Sequence, residues 1–249
     1  MNYNKHANTY DAFRFARKSI VDSIVAKIKS SNYKTILDFG CGTGNHIYEI
    51  AKRMRRLNLI GVEPSESMRE IARKKNPKVT IVKGNHLSVP LDENSVDMIY
   101  MVDVIHHVDN IEKMFFELNR VLKNQGNILI ITVSHKQIQE KAWLSYFDGA
   151  KDISLNILPD ISEIVRTAKK IGLNCYEEIT IDEIPYNISI NELISLVSNK
   201  AFSILHKISD KSYEKGLQKL KKDSLIKKHI LRHIAKTILC FKKSALSAV

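Results

Sequence analysis

Ile36-Leu37-Asp38-Phe39-Gly40-Cys41-Gly42-Thr43-Gly44-Asn45 is the stretch whose reading decides the fold. A short apolar run, Thr35 to Phe39, reads as a buried strand, and residues 45–56 beyond the glycines read as a helix. Glycine permits a tight turn and lets a ligand approach the backbone without a Cβ in the way. In an open α/β sheet such a strand–turn–helix unit holds its ligand outside the carboxyl end of the strand, at a switch point. Glu63 follows at the end of the next apolar run, 23 residues beyond Gly40. A carboxylate so placed accepts hydrogen bonds from both hydroxyls of a ribose, and together these features indicate an adenosine-containing ligand. The spacing is Gly40-x-Gly42-x-Gly44, not G-x-G-x-x-G, and Asp38 precedes it. An acid there repels a pyrophosphate but suits a cationic amino or sulfonium group. A glycine turn that serves strand–helix packing alone is the competing reading.

Alternation continues on both sides of this unit. Residues 10–30 read as a helix, with Phe13, Ala16, Ile20, Ile24, Val25 and Ile28 near a 3.6-residue period. Strands are predicted over 57–63, 79–82, 96–102, 127–133 and 175–181, and helices over 65–75, 110–122 and 160–171, with Ser65 as an N-cap. The expected fold is α/β, a Rossmann-like seven-stranded, mostly parallel sheet with helices on both faces. Residues 184–230 break the rhythm, show helical pattern and carry no clear strand. They are expected to form a helical cap inserted before a last strand at Thr237 to Phe241. The resulting organisation is a ligand-binding domain, 1–183 plus 231–249, and a cap at 184–230 that contributes to a second, acceptor site.

Composition narrows the class. The 249 residues are 44% hydrophobic and 27% charged, a globular mixture. No apolar run follows Met1-Asn2-Tyr3-Asn4-Lys5-His6 and none approaches the ~20 residues of a membrane span, so neither a signal peptide nor a span is expected. Cys41, Cys175 and Cys240 lie far apart without metal spacing, which fits free thiols in a cytoplasmic protein. No metal is expected. Of the net charge of +12, residues 201–249 carry +9, with 12 Lys and Arg against three acids. Such an excess draws nucleic acid, an anionic membrane surface or an acidic small molecule, or is simply a solvated face.

Residues 36–45 resemble motif I of the class I S-adenosylmethionine-dependent methyltransferases. Val82-Lys83-Gly84-Asn85-His86-Leu87-Ser88-Val89-Pro90-Leu91 is similar to their loop after the third strand. Residues 95–108, ending Asp103-Val104-Ile105-His106-His107-Val108, resemble their fourth strand and turn, and Leu122 to Asn127 the approach to their fifth. The resemblance covers roughly 10–182 plus the last strand, and is closest to the small-molecule branch around ubiquinone and menaquinone biosynthesis. It implies S-adenosyl-L-methionine as cofactor. Asp38, Gly40 and Gly42, with Cys41 in the same turn, would line its methionine end. Glu63 would hold the ribose, Pro64 and Met68 would flank the adenine, and Asn85 and His86 would lie along the adenine edge. The family usually has Asp where this chain has Asn85; the amide still offers an acceptor but no charge. Val102 and Asp103 would lie near the reacting end. Tyr10 and Arg14 resemble a pair that some relatives place over the cofactor, where Arg14 would meet the methionine carboxylate; an ordinary surface Arg is the alternative.

Methyl transfer from a sulfonium is an in-line displacement on an already activated electrophile, so alignment and water exclusion do most of the work. A base is needed only where the acceptor holds a proton of unsuitable pKa. His106 and His107, after the fourth strand, are the candidates; packing or hydrogen bonding of that turn is the competing reading. Trp143, Tyr146 and Phe147 are candidates for the acceptor pocket or for core packing. Residues 194–205 and 213–217 are similar to the cap of some relatives, whose lysines would favour an acidic acceptor. Three other functions stay open from the residues alone. One is an RNA or DNA methyltransferase using the basic segment for phosphate contacts. Another is a cofactor-binding protein without turnover. The third is peripheral attachment of Leu225 to Phe241 to an anionic membrane.

Overall fold

The computed structural model describes Asp11 and residues 15–244. The elements, in chain order, open with α1 (Lys18–Ser31), β1 (Thr35–Phe39), α2 (Asn45–Arg53), β2 (Asn58–Val62), α3 (Glu66–Lys75), β3 (Thr80–Val82) and β4 (Val96–Val102). They continue with α4 (Ile111–Val121), β5 (Leu122–Thr132), α5 (His135–Gln139), α6 (Ala150–Ile157), α7 (Ile161–Lys170) and β6 (Leu173–Ile181). The last are β7 (Tyr186–Ser189), α8 (Ile190–Ser198), α9 (Asp210–Asp223), β8 (His229–Arg232) and β9 (Lys236–Lys243). The main sheet has seven strands in the order β3-β2-β1-β4-β5-β9-β6. β1 to β5 pair in parallel, and β9 runs antiparallel between β5 and β6. This is the expected Rossmann-like α/β sheet.

Burial explains the order. β1 and β2 are continuous apolar runs, buried on both faces, as a central parallel strand must be. β6 alternates buried or half-buried with exposed positions, as suits the edge it occupies. One face of the sheet packs on α1 through Ile20, Val21, Ile24, Val25 and Ile28, against Ile36, Met98, Tyr100 and Leu129. The other packs on α4 through Met114, Phe115, Leu118 and Val121, with Phe115 edge-on to Phe241 of β9 at 5.7 Å. Ser65 is the N-cap expected, and Asn110 and Asp160 cap their helices in the same way, each accepting a hydrogen bond from a backbone N–H of the first turn.

Two local expectations need revision. The helix expected over 10–30 is interrupted at 15–17, and α1 starts at Lys18, where Arg17 is extended (ψ 131°) and its guanidinium reaches away to Asp182 and to the Ile234 carbonyl. Phe13 of that predicted stripe lies outside the described residues. The segment at 184–230 is also not free of strands. β7 and β8 pair as an antiparallel ribbon, Tyr186 opposite Arg232 and Ser189 opposite His229, and α8 and α9 lie between them. These strands are four residues each with mixed polarity, too short for a period-two signal to stand out.

The inserted helices share the core of the sheet. Tyr213, Leu217 and Leu220 of α9 are buried with Leu144, Tyr146 and Phe147, which fall in and after a 3-10 turn at Ala142–Tyr146. The Tyr146 hydroxyl donates to Asp223 at 2.7 Å. Gly216 sits at the closest approach: a Cβ there would stand 2.3 Å from a Phe147 ring carbon and 2.7 Å from the Tyr146 carbonyl oxygen. Alanine is the better helix former by about 1 kcal/mol, but overpacking costs about 1–3 kcal/mol, and the carbonyl side of this contact is rigid. Gly216→Ala is therefore expected to lower the melting temperature by several degrees in a thermal scan; an unchanged or higher value would show that α9 slides freely.

Candidate active site

The turn after β1 folds back on β2. The N–H groups of Gly40 and Cys41 both donate to the Val62 carbonyl, at 2.8 and 3.1 Å, and Gly44 becomes the N-cap of α2. Gly40, Gly42 and Gly44 all have positive φ, 73°, 55° and 76°. At Gly40 a Cβ would also stand 2.6 Å from Val104 in the turn after β4. The alternating glycines are thus required by conformation and by contact between two neighbouring strand ends.

Glu63 ties this turn to the next. Its carboxylate accepts from Gly42 N–H at 3.1 Å and Ser65 N–H at 2.9 Å, one bond to each oxygen. Arg69, buried in α3, donates to the carbonyls of Glu63 and Pro64 at 2.8 and 2.7 Å and pairs with Glu66. Each oxygen of Glu63 keeps a further lone pair, enough for a vicinal diol. Burial raises its pKa, against the two backbone bonds and Arg69. Asp38 is more extreme. It is 3% exposed and stands in register with Tyr100 on β4. Burial pushes its carboxyl up to about 7; the Tyr100 phenol opposes that rise and the Glu63 charge adds to it. A cation brought to Asp38 would restore its ionised form.

Asp38 opens into a cleft of about 530 Å³ at the carboxyl ends of β1, β4 and β5. Of the residues expected at the site, Asp38, Gly40, Cys41, Gly42, Val102, Asp103, His106 and His107 line this cleft, as does Trp143. Tyr146 and Phe147 are core residues under α9 instead. His106 and His107 belong to a 3-10 turn, Ile105–His107, with ring centroids 3.9 Å apart. Asp103 has a positive φ of 57° and its carboxylate pairs with Lys236 of β9. The adenine-side group lies outside the cleft. Glu63 is at its edge through Gly42, Met68 is buried in α3, and Pro64 is exposed. Asn85 is exposed, and its side-chain oxygen accepts from Leu87 and Ser88 N–H at 2.8 and 3.2 Å. That amide acceptor is committed to its own turn. His86 is half-buried beside it. Tyr10 and Arg14 lie outside the described residues.

The opposite wall comes from distant segments that the sequence did not bring together. Arg17 precedes α1, Leu196 is on α8, Phe202 and Ile204 follow it, and Arg232 to Lys236 join β8 to β9. Trp143 stacks on Phe202 with centroids 4.4 Å apart. Of the 12 Lys and Arg in 201–249, only Arg232 and Lys236 line the cleft, so the basic excess of that segment mostly faces elsewhere. Arg17 pairs with Asp182 at 2.5 Å, and its burial lowers its pKa. Among the described residues no helix is long and apolar enough to cross a membrane, and no group of His, Cys, Asp and Glu is arranged to hold a metal ion.

A carboxyl whose pKa is raised on folding binds its proton more tightly in the native state, so its stability contribution falls as pH rises from the unfolded value near 3.8 toward about 7. Above that window the folded protein carries a buried charge facing Tyr100, Glu63 and Cys41. Asp38→Asn removes the charge at constant shape. Without ligand, this variant is expected to melt above the parent at about pH 8 and to converge with it near pH 4–5. Parallel melting curves over that range would show that Asp38 does not titrate as derived.

The methyltransferase-domain family model matches residues 37–130, from β1 through most of β5. The ubiquinone/menaquinone biosynthesis C-methyltransferase of Campylobacter jejuni (serotype O:6, strain 81116) is 30% identical over 218 residues, which cover 82% of this chain and 88% of that protein. Two solved structures share the fold. A protein of Anabaena variabilis described as a candidate methyltransferase from an antibiotic biosynthesis pathway superposes with a TM-score of 0.72 at 22% identity, over 91% of this chain and 98% of that one. Haemonchus contortus phosphoethanolamine N-methyltransferase 2, bound to phosphomonomethylethanolamine and S-adenosylhomocysteine, gives 0.62 at 18% identity, over 97% of this chain and 58% of that one. With its glycine turn, its two buried acids and its strand order, the chain belongs to the class I S-adenosylmethionine-dependent methyltransferases, in the type 11, small-molecule branch.

Proposed function

We propose that this enzyme methylates a small, acidic molecule held in the cleft between the glycine turn and the 184–232 insertion. The observation that carries the reading is that one cavity has Asp38 and the glycine turn on one wall and Trp143, Phe202 and Arg232 on the other. The residues present fit the cofactor: a buried acid awaiting a cation, a glycine turn lining the cleft beside it, and free lone pairs on Glu63. S-adenosyl-L-methionine supplies, when bound, an electrophilic methyl group on a sulfonium.

Asp38 takes the amino group at the methionine end, with Gly40, Cys41 and Gly42 giving backbone clearance. Glu63 accepts from the ribose hydroxyls, held in place by Gly42 and Ser65. Pro64 and Met68 bound the adenine, with Asn85 and His86 along its edge, and Asn85 contributes through its NH₂ group. By the resemblance, Arg14 would pair with the methionine carboxylate and Tyr10 would lie with it over the cofactor. Val102 closes the cleft next to the reacting end, and the apolar wall excludes water while the acceptor is aligned for in-line displacement. His106 and His107 face the acceptor side and take its proton where one must leave. Of the 12 Lys and Arg in 201–249 only Arg232 and Lys236 line the cleft, which speaks against an RNA or DNA acceptor held by that segment through a track of phosphate contacts. Three free cysteines suit a cytoplasmic setting.

Calorimetry with S-adenosylhomocysteine tests the cofactor half. Affinity is expected to rise with pH up to about 7 as Asp38 ionises, by up to about tenfold per pH unit. Glu63→Ala should weaken binding about 10- to 100-fold, as lost charge-assisted hydrogen bonds of about 1.5–3 kcal/mol require. Folded protein that does not bind at millimolar ligand would end the reading. For the base, His106→Gln and His107→Gln are each expected to lower kcat at saturating cofactor; unchanged turnover in both would assign the pair to packing of the turn.

A further inference from the structure

The cations on the acceptor wall differ in how they are neutralised. Arg17 has Asp182 at 2.5 Å and the Ile234 carbonyl at 2.6 Å, and Lys236 has Asp103. Arg232 has no acidic partner among the described residues, although Glu192 also lines the cleft. Its guanidinium instead lies 5.9 Å from the centroid of the Tyr186 ring and 5.8 Å from that of Phe202. Tyr186 is its cross-strand partner in the β7–β8 ribbon, on the same face, so the ribbon's pairing aims both into the cleft. The ring faces attract the cation and restrict its rotamers, while the planar N–H fork keeps its donors. Arg17 lies near enough for the charge of Arg232 to act on it. Beside this cation the wall is apolar: Trp143 stacked on Phe202, with Leu196, Ile204, Ile157 and Leu158. Lys141 also lines the cleft, but a guanidinium preorganised by two rings and without an acidic partner beside such an apolar wall makes a position where a negative charge is stabilised.

We infer that Arg232 is the anchor for an oxyanion of the acceptor, whose apolar body lies against the Trp143–Phe202 stack. The acceptor is then an amphipathic organic acid, and the residue that selects it belongs to the inserted ribbon, not to the cofactor turn. This rests on the cleft's being the acceptor site of the methyltransferase. It also places the source of acid preference at Arg232 and not on the cap lysines.

The test uses a matched pair of fluorescent probes, 8-anilinonaphthalene-1-sulfonate and N-phenyl-1-naphthylamine, which differ in the anionic group. Both are titrated into the full chain saturated with S-adenosylhomocysteine. Trp143 is the only tryptophan, so energy transfer from its emission to the probe reports occupation of this wall. The sulfonate is expected to bind with energy transfer about tenfold or more tightly than the neutral amine. Arg232→Gln should remove that difference while leaving the amine's affinity in place, and Arg232→Lys, which keeps the charge but not the fork, should fall between. S-adenosylhomocysteine binding by each variant shows that it is folded. Equal affinities for the two probes, no energy transfer, or an Arg232→Gln variant that keeps the full preference would overturn the inference. Failure of the parent to bind S-adenosylhomocysteine would instead overturn the functional reading on which it rests.

Discussion

β9 runs against β5, with Thr132 at the carboxyl end of β5 opposite Thr237 near the start of β9. A chain entering that slot must therefore arrive at the carboxyl ends of the parallel strands, where ligands bind in this architecture. The slot is strongly specified, because Thr237 to Phe241 are all buried and a one-residue slip would turn each to the wrong face. Lys243 locks the far end by donating to the carbonyls of Asn119 and Leu122 at 2.7 Å. The consequence is that residues 232–236, immediately before β9, are delivered to the cleft whatever their chemistry. The 184–232 insertion has to sit over the cofactor turn for the same reason. Position over the site thus comes from a strand-pairing constraint in the core.

The cofactor side is arranged around buried negative charge. Two acids, Asp38 and Glu63, are nearly excluded from water; the Glu63 charge adds to the cost of ionising Asp38, while backbone donors and Arg69 offset that of Glu63. In the free protein this is a destabilising arrangement. It becomes favourable when a cation and two hydroxyl donors arrive together, so selectivity over a pyrophosphate ligand is built into the apo state. The Gly42–Glu63 hydrogen bond couples the two groups: a turn that could not present the Gly42 N–H would also release the carboxylate.

The sheet and the cofactor turn were legible because their signals are local. Buried parallel strands are continuous apolar runs, the caps at Ser65, Asn110 and Asp160 carry their own side-chain acceptors, and Asp38, the glycines and Glu63 have fixed spacings. The ribbon was not legible, since four-residue strands such as His229–Arg232 hold too few alternations to be distinguished from a helix end. Nor was the acceptor wall. Arg17, Trp143, Phe202 and Arg232 come from four separate segments, and only tertiary pairing brings them together. Charge counting misled in the same way: twelve basic residues in one segment suggested a basic cap, whereas two of them face the cleft. The Asn85 substitution was visible, but not its meaning, because its oxygen's commitment to Leu87 and Ser88 is a matter of turn geometry.

These two halves answer different demands. The cofactor is common to the family, so its site can be written into short motifs on strands whose positions the core enforces. The cleft's other wall is carried in part by an insertion tied to the sheet through α9 and through the entry into β9, and on the proposed reading this is where the acceptor would be met. Changes within the ribbon, such as at Tyr186 or Arg232, leave the pairing of β5, β9 and β6 untouched. A ribbon strand can exchange its inward side chains without disturbing register, since alternate residues face opposite sides. Side chains on the ribbon are therefore separable from the cofactor turn in this fold, and on the proposed reading Arg232 is where that separation would place the charge that distinguishes the acceptor.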